Sequence, residues 1–279
     1  MYNWVWRLLR QSLFRLRRRL TAYRRPISIL TGRGRTGIDD LRRAVAPALV
    51  ERGKNDSVLM IAFTGAGEEL GMPVYEFFDV TKSLGYGRIL LRDQYRQNYH
   101  RGIDKQRPDF PSLILYLRQE IERLSPKKVL CIGTSAGGYA AIRAGHQLHA
   151  DYVQAFGPVT GLLPPNLWPQ GKHHRGSFMD LAEVLKEWNQ KTIYYIHYCC
   201  GFDPDRYHAE RLSRSPGVVR IGYPCNSHQV AIFLAKKGLL TEALAIANQD
   251  RVGEIAKAYF GEDLELHGLQ PDMTWGSAE

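Results

Sequence analysis

The chain is 279 residues long, 44% apolar and 24% charged, with a formal net charge of +10. That length can bury a core without disulfide staples, and the balance excludes both a disordered chain and a membrane-embedded one. Taken whole, the charge suggests nucleic acid or an anionic surface as partner. Yet twelve Arg, no Lys and only two acids (Asp39, Asp40) lie within residues 1–43, which leaves 26 basic and 26 acidic residues, of 38 and 28 in all, in a neutral body.

The elements run as follows. Residues 4–20 read as an amphipathic helix, with Val5, Leu9, Leu13, Leu16 and Leu20 on one stripe, Trp6 at its border and most Arg elsewhere. Pro26 blocks its continuation, and Gly32, Gly34 and Gly37 precede a helix expected near 38–51. From 57 onward strands and helices alternate. Strands are expected at 58–63, 88–91, 129–132, 152–156, 193–198 and 218–223. Helices are expected at 73–83, 110–124, 136–146, 178–189, 205–213, from about 228, and over 239–260. A polar, Tyr-rich loop spans 93–108, and a Pro-rich excursion with Trp168 spans 158–176. Residues 261–279 have weak periodicity and are expected to fray. Continuous apolar strands separated by helices imply an α/β fold, a mostly parallel sheet covered on both faces.

Four cysteines (Cys131, Cys199, Cys200, Cys225) show no metal-finger spacing and read as no disulfide framework, which favours a reducing compartment. No run approaches the roughly 18 apolar residues of a spanning helix, and the N-terminus lacks a continuous apolar stretch of the secretory kind. A cytoplasmic protein, peripheral on the inner face of a membrane, is the expectation.

The sharpest motif follows the strand at 129–132: Gly133-Thr134-Ser135-Ala136-Gly137-Gly138. This is GxSxG with a strand before it and a helix after it. Such a turn is so tight that side chains two before and two or three after the Ser would collide, and glycine at 133, 137 and 138 removes them. Ser135 is then an exposed nucleophile at a helix N-terminus, where orphan N–H groups and positive potential gather. A Gly-rich turn that merely packs closely or binds phosphate is the plainer alternative. A nucleophilic Ser needs a base, and the base an orienting acid. His228 follows the strand at 218–223. Asp203 and Asp205 follow the strand at 193–198. Asp203, before Pro204, looks like a helix N-cap, which leaves Asp205 freer to reach His228, and both stay open. His208 is a poorer base because it lies in the acid's own helix. Oxyanion stabilisation needs backbone donors. Ala136 N–H is one, and the turn Thr64-Gly65-Ala66-Gly67 offers Ala66, with Gly65 next.

The order Ser135, Asp203 or Asp205, then His228, each after a strand, resembles the α/β-hydrolase superfamily over roughly residues 57–245. The resemblance implies an eight-stranded sheet, a nucleophile elbow, a small cap and hydrolysis of an ester, thioester or amide without a cofactor. The oxyanion turn has Thr64 where the lipase motif has His, and the lid region is short, so substrate class stays open. The division is a basic amphipathic arm over 1–36 and an α/β-hydrolase domain over 37–279. The leading function is a serine hydrolase acting on a small-molecule carboxylic ester or thioester. A serine acyltransferase and a non-catalytic scaffold on the same fold are the alternatives.

Other features are less specific. The loop 93–102 reads either as a substrate grip or as a solvated surface. Trp168 with Pro164, Pro165 and Pro169 reads as a cap or a packed crossover. His146 with His149, and His173 with His174, lack convergent carboxylates or thiolates, so no metal is assigned. Eight Arg within residues 1–25, with Trp4 and Trp6, suit an anionic membrane surface. Docking on the chain's own domain or a partner, a presequence and, last, nucleic acid are the other readings.

Overall fold

The computed structural model describes residues 46–167 and 179–268. The strands are β1 (Ala48–Glu51), β2 (Asn55–Phe63), β3 (Tyr86–Leu91), β4 (Lys128–Thr134), β5 (Tyr152–Phe156), β6 (Ile193–Cys199), β7 (Val218–Tyr223) and β8 (Glu265–His267). The helices are α1 (Val74–Val80), α2 (Phe110–Leu124), α3 (Ala136–Leu148), α4 (Leu181–Val184), α5 (Asp203–Glu210), α6 (Val230–Lys236), α7 (Leu240–Leu244) and α8 (Val252–Phe260). The eight strands form one sheet in the order β1-β3-β2-β4-β5-β6-β7-β8. The six strands β2 to β7 pair in parallel, and β1 and β8 close the two edges antiparallel.

Alternation along β2 explains the two cores. Val58, Met60 and Ala62 pack with residues of α1, α6, α7 and α8. Leu59, Ile61 and Phe63 point the other way, among residues of α2, α3, α4 and α5. A strand buried on both faces needs a continuous apolar run, which is how this one reads. The chain crosses from β2 to β3 on one side, then from β3 over β2 to β4 on the other. That reversal is the switch point of the sheet, and in open α/β sheets ligands bind outside the carboxyl ends of the strands at such a point, here β2 and β4.

Four expectations are corrected. Residues 48–51, read as the end of a helix, form β1, because Ala48 to Glu51 pair with Leu91 to Arg88 at the sheet edge. Residues 38–45 of that expected helix, like the arm and its amphipathic stripe, lie outside the described residues, as do Trp168, His173 and His174, and Ala46 and Pro47 lead into β1 outside any helix. The helix expected over 178–189 is confined to α4. Asp180 caps its start by accepting from Ala182 N–H, and the chain then turns so that Trp188 donates to Thr192 O and Asn189 bonds His146 O, which feeds it into β6. Residues 265–267, expected to fray, pair with 220–222 as β8.

The fourth correction concerns cysteine. Cys199 and Cys225 form a disulfide, with Cα atoms 4.9 Å apart. The parallel register sets Cys199 opposite Tyr223, so Cys225 lies just past the end of β7, within bridging range. The inference of a reducing compartment from cysteine usage therefore loses its basis. Among the described residues no helix is long and apolar enough to cross a membrane.

Candidate active site

Ser135 stands between β4 and α3 with φ 53° and ψ −118°. For a residue with a side chain this is a strained backbone, costing about 1–3 kcal/mol. The glycines around it are sterically required. A Cβ on Gly133 would lie 2.1 Å from Gly137 O, one on Gly137 2.1 Å from Phe63 O, and one on Gly138 2.9 Å from Pro158 Cβ. The Ser135 backbone is pinned on both sides. Its N–H donates to Phe156 O at 3.0 Å, and its carbonyl accepts from Tyr139 N–H at 3.1 Å and Val159 N–H at 3.3 Å. Ala136, buried as the first residue of α3, has an N–H with no intrahelical acceptor, as the first turn of any helix must.

The acid and base come together across two loops. His228 Nδ1 lies 2.5 Å from Asp205 Oδ1. The Asp205 side chain is 1% exposed and the His228 side chain 40%, so a buried carboxylate orients an accessible imidazole. Asp203 is exposed at the first residue of α5, and the N-cap position belongs to Phe202, with no side-chain cap bond. The helix thus starts one residue earlier than the capping reading required, and Asp205 turns inward. The Phe202 ring tilts against His228 with centroids 5.7 Å apart.

Gly157 connects this pair to the nucleophile. It follows Phe156, whose carbonyl receives the Ser135 N–H. A Cβ on Gly157 would lie 3.0 Å from Asp205 Oδ2 and 3.1 Å from the His228 ring. The end of β5 therefore touches Ser135 through one residue and the Asp205–His228 pair through the next. His208 is committed elsewhere. It is buried, and its Nδ1 faces Thr160 N and Oγ1 at 3.2 and 3.1 Å.

The turn after β2 packs on the elbow. A Cβ on Gly65 would lie 3.0 Å from Thr134 O, and Thr134 Oγ1 donates to Glu69 O. Gly65 N–H donates to Glu69 O at 2.8 Å, so its donor is already used inside the turn. Ala66, by contrast, has no hydrogen bond from its N–H among the described residues, and of the two it is the one free to donate to an oxyanion.

Sequence reasoning missed Tyr99. It sits in the loop read as a substrate grip or a solvated surface, yet it is fully buried. Its hydroxyl reaches Leu91 O at 2.9 Å and Thr64 O at 3.1 Å, directly beneath the turn that holds Ala66. Burial pushes its phenol pKa well above the ordinary value. Asp93 organises the loop, accepting from the N–H groups of Tyr95, Gln97 and Tyr99 at 3.1, 2.8 and 3.0 Å. Burial raises the Asp93 carboxyl above its usual range, and these N–H bonds only partly offset it. Arg96, Asn98 and Tyr99 all adopt positive φ, so strain gathers here as it does at Ser135. An Asp followed by polar residues was the only signal in the sequence, and it is a weak one.

His146 lies in α3 with Nδ1 3.0 Å from Tyr194 OH, and burial lowers its pKa. His149 is the left-handed C-cap of the same helix. Among the described residues no group of three or more His, Cys, Asp or Glu side chains is placed to hold a metal ion.

No family model matches the sequence, and no curated protein matches it. Solved structures do. A carboxylesterase structure from the thaumarchaeon Nitrososphaera gargenis superposes with a TM-score of 0.50 at 15% identity, covering 73% of this chain and 96% of that one. MenH from S. aureus gives 0.49 at 12% identity, over 72% and 100%. The esterase domain of a Rhodothermus marinus protein gives 0.48 at 14% identity, over 74% and 99%. Identities this low speak for the fold alone, and the fold is that of the α/β hydrolases.

Proposed function

We propose that this chain, built on the α/β-hydrolase fold, is a serine hydrolase that cleaves a carboxylic ester or thioester through Ser135, His228 and Asp205. The observation that carries the reading is the buried Asp205 paired with an accessible His228 against Gly157, one residue from the backbone contact of a strained Ser135. A shared fold is not a shared activity, so the reading rests on these residues.

The chemistry follows from the parts. Asp205 holds the His228 Nδ1–H and leaves Nε2 as the basic nitrogen. Nε2 takes the Ser135 hydroxyl proton as Oγ attacks the substrate carbonyl. The N–H groups of Ala136 and Ala66 receive the oxyanion, with the α3 N-terminus behind them. His228 gives the proton to the leaving alcohol or thiol, and water repeats the sequence to release the acyl group. The arm at 1–36 is proposed to bring this unit to an anionic membrane, each Arg near such a surface contributing about 1 kcal/mol.

A fluorophosphonate probe tests the centre. Labelling at Ser135, together with Ser135→Ala losing turnover of a short nitrophenyl ester at an unchanged melting temperature, is the expected result. Retained turnover, or a folded wild type that resists the probe, would overturn it. For the arm, flotation with anionic liposomes should recover the full chain and not a chain lacking residues 1–25.

A further inference from the structure

The loop that presents His228 has little of its own to hold it. Between β7 and α6, residues 226 to 229 are all exposed, and the buried anchors are Cys225 before them and Val230 after them. The loop that leads to Asp205 starts at Cys199, which is fully buried at the end of β6. These two loops are tied together where they leave β6 and β7. The Cys199–Cys225 disulfide joins them, Gly201 N–H donates to Cys225 O at 3.0 Å, and Cys200 N–H donates to Tyr223 O at 2.9 Å. The Asn226 side chain lies so close to Gly201 that a Cβ there would come 2.0 Å from its Oδ1.

We infer that the Cys199–Cys225 disulfide is a positioning element for the base, holding the His228 loop in register with the Asp205 loop, so that its reduction disables catalysis in a protein that stays folded. The inference rests on the proposed triad. Cys199, Asp205, His228 and Cys225 form a closed circuit. The covalent bond closes one side, and the 2.5 Å contact between Asp205 and His228 closes the other. His228 is three residues from the cross-link and Asp205 is six. Opening the covalent side leaves the exposed segment beyond Cys225 restrained only by the Gly201–Cys225 backbone bond, the Asn226 contact and the Asp205–His228 hydrogen bond, all of them non-covalent. Displacing a catalytic group by about 1 Å costs on the order of 100-fold in rate. The sheet itself does not depend on the bond, because β6 and β7 are paired through six register positions. The neighbouring Cys200 does not compete for it, since burial pushes its thiol up to about 11 and keeps it protonated.

The test is a folded variant with both sulfurs removed, Cys199→Ala with Cys225→Ala, beside Cys200→Ala as the control that keeps the bond. Ester turnover is measured well below each melting temperature, with circular dichroism to confirm the fold. The double variant should lose on the order of 10- to 100-fold in kcat, with KM within about twofold and fluorophosphonate labelling of Ser135 slowed in parallel. The control should match the wild type. If the double variant does not fold, the folded wild type is reduced with a dithiol. The dithiol supplies two electrons and two protons, becoming a disulfide as Cys199 and Cys225 become thiols. Alkylation, desalting and a mass count of modified cysteines precede the assay, and the same loss is expected. A folded double variant or reduced protein with kcat and labelling within twofold of the wild type would overturn the inference while leaving the triad standing. An oxidised wild type that fails to label at Ser135 would remove the triad and the inference together.

Discussion

His197 gives the sharpest energetic prediction. It lies in β6, fully buried, in an unbroken donor chain. Tyr223 OH reaches its Nδ1 at 2.8 Å, its Nε2 meets Gln154 Oε1 at 2.5 Å, and Gln154 Nε2 donates to Gln249 Oε1 at 2.7 Å. Gln249 in turn donates to Ala243 O and Ala245 O, which ties the sheet to the segment between α7 and α8. With Gln154 accepting, Nε2 carries the proton and Nδ1 accepts from Tyr223, so the ring is neutral. A second proton would make Nδ1 a donor, so that the Tyr223 hydroxyl would have to accept and turn its own hydrogen away from the ring. Burial pushes the His197 pKa down to about 3. The unfolded chain protonates near its ordinary value of about 6.5, so as pH falls below that value the unfolded state takes a proton that the fold refuses. Stability is therefore complete above pH ~6.5 and is lost at about 1.4 kcal/mol per pH unit down to the folded pKa. From pH 7 to pH 5 the loss amounts to about 2 kcal/mol. The assay is urea unfolding at both pH values for the wild type and for His197→Gln. The variant lacks the titrating ring but shares every carboxylate, so the wild type should lose about 2 kcal/mol more than the variant over this interval. Equal losses would show that His197 is protonated in the fold, and the neutral-ring reading would be refuted.

Asp205→Asn should lower kcat on the order of 10⁴-fold, the scale of removing a buried triad acid, while Asp203→Asn stays within about twofold. Steady-state kinetics on a nitrophenyl ester separates the two, and the opposite ranking would reassign the acid. Gly157→Ala places a Cβ at φ 53°, 3.0 Å from Asp205 Oδ2. It should cost about 1–2 kcal/mol in stability and lower kcat more than it raises KM. Tyr99→Phe keeps the ring and deletes the hydroxyl beneath Thr64. Thermal unfolding should report a loss of about 1–3 kcal/mol, and kcat should fall severalfold with KM little changed, whereas a purely structural hydroxyl would leave the kcat of the folded protein intact.

The sequence alone settled what depends on neighbours in the chain. The tight turn at Ser135 was legible because its glycines stand within three residues of the Ser, although only Gly133 is required by the turn itself, while Gly137 and Gly138 are required by Phe63 and Pro158 packed against it. Helix α2 was legible over 110–124, where the structure adds a capping box of Asp109 with Ser112, and the buried strands were legible from unbroken apolar runs. The sequence also confined its excess of positive charge to residues 1–43. Tertiary structure decided whatever depends on register between distant segments. Asp203 and Asp205 differ by two residues, and only the starting residue of α5 turned Asp205 inward. Cys199 and Cys225 stand 26 residues apart, and nothing short of the β6–β7 pairing brings them together. The edge strands β1 and β8 exist only because β3 and β7 offer unpaired backbone. Tyr99 and Gln154 look like polar loop and strand residues until the fold closes over them, since burial is a property of what packs on top.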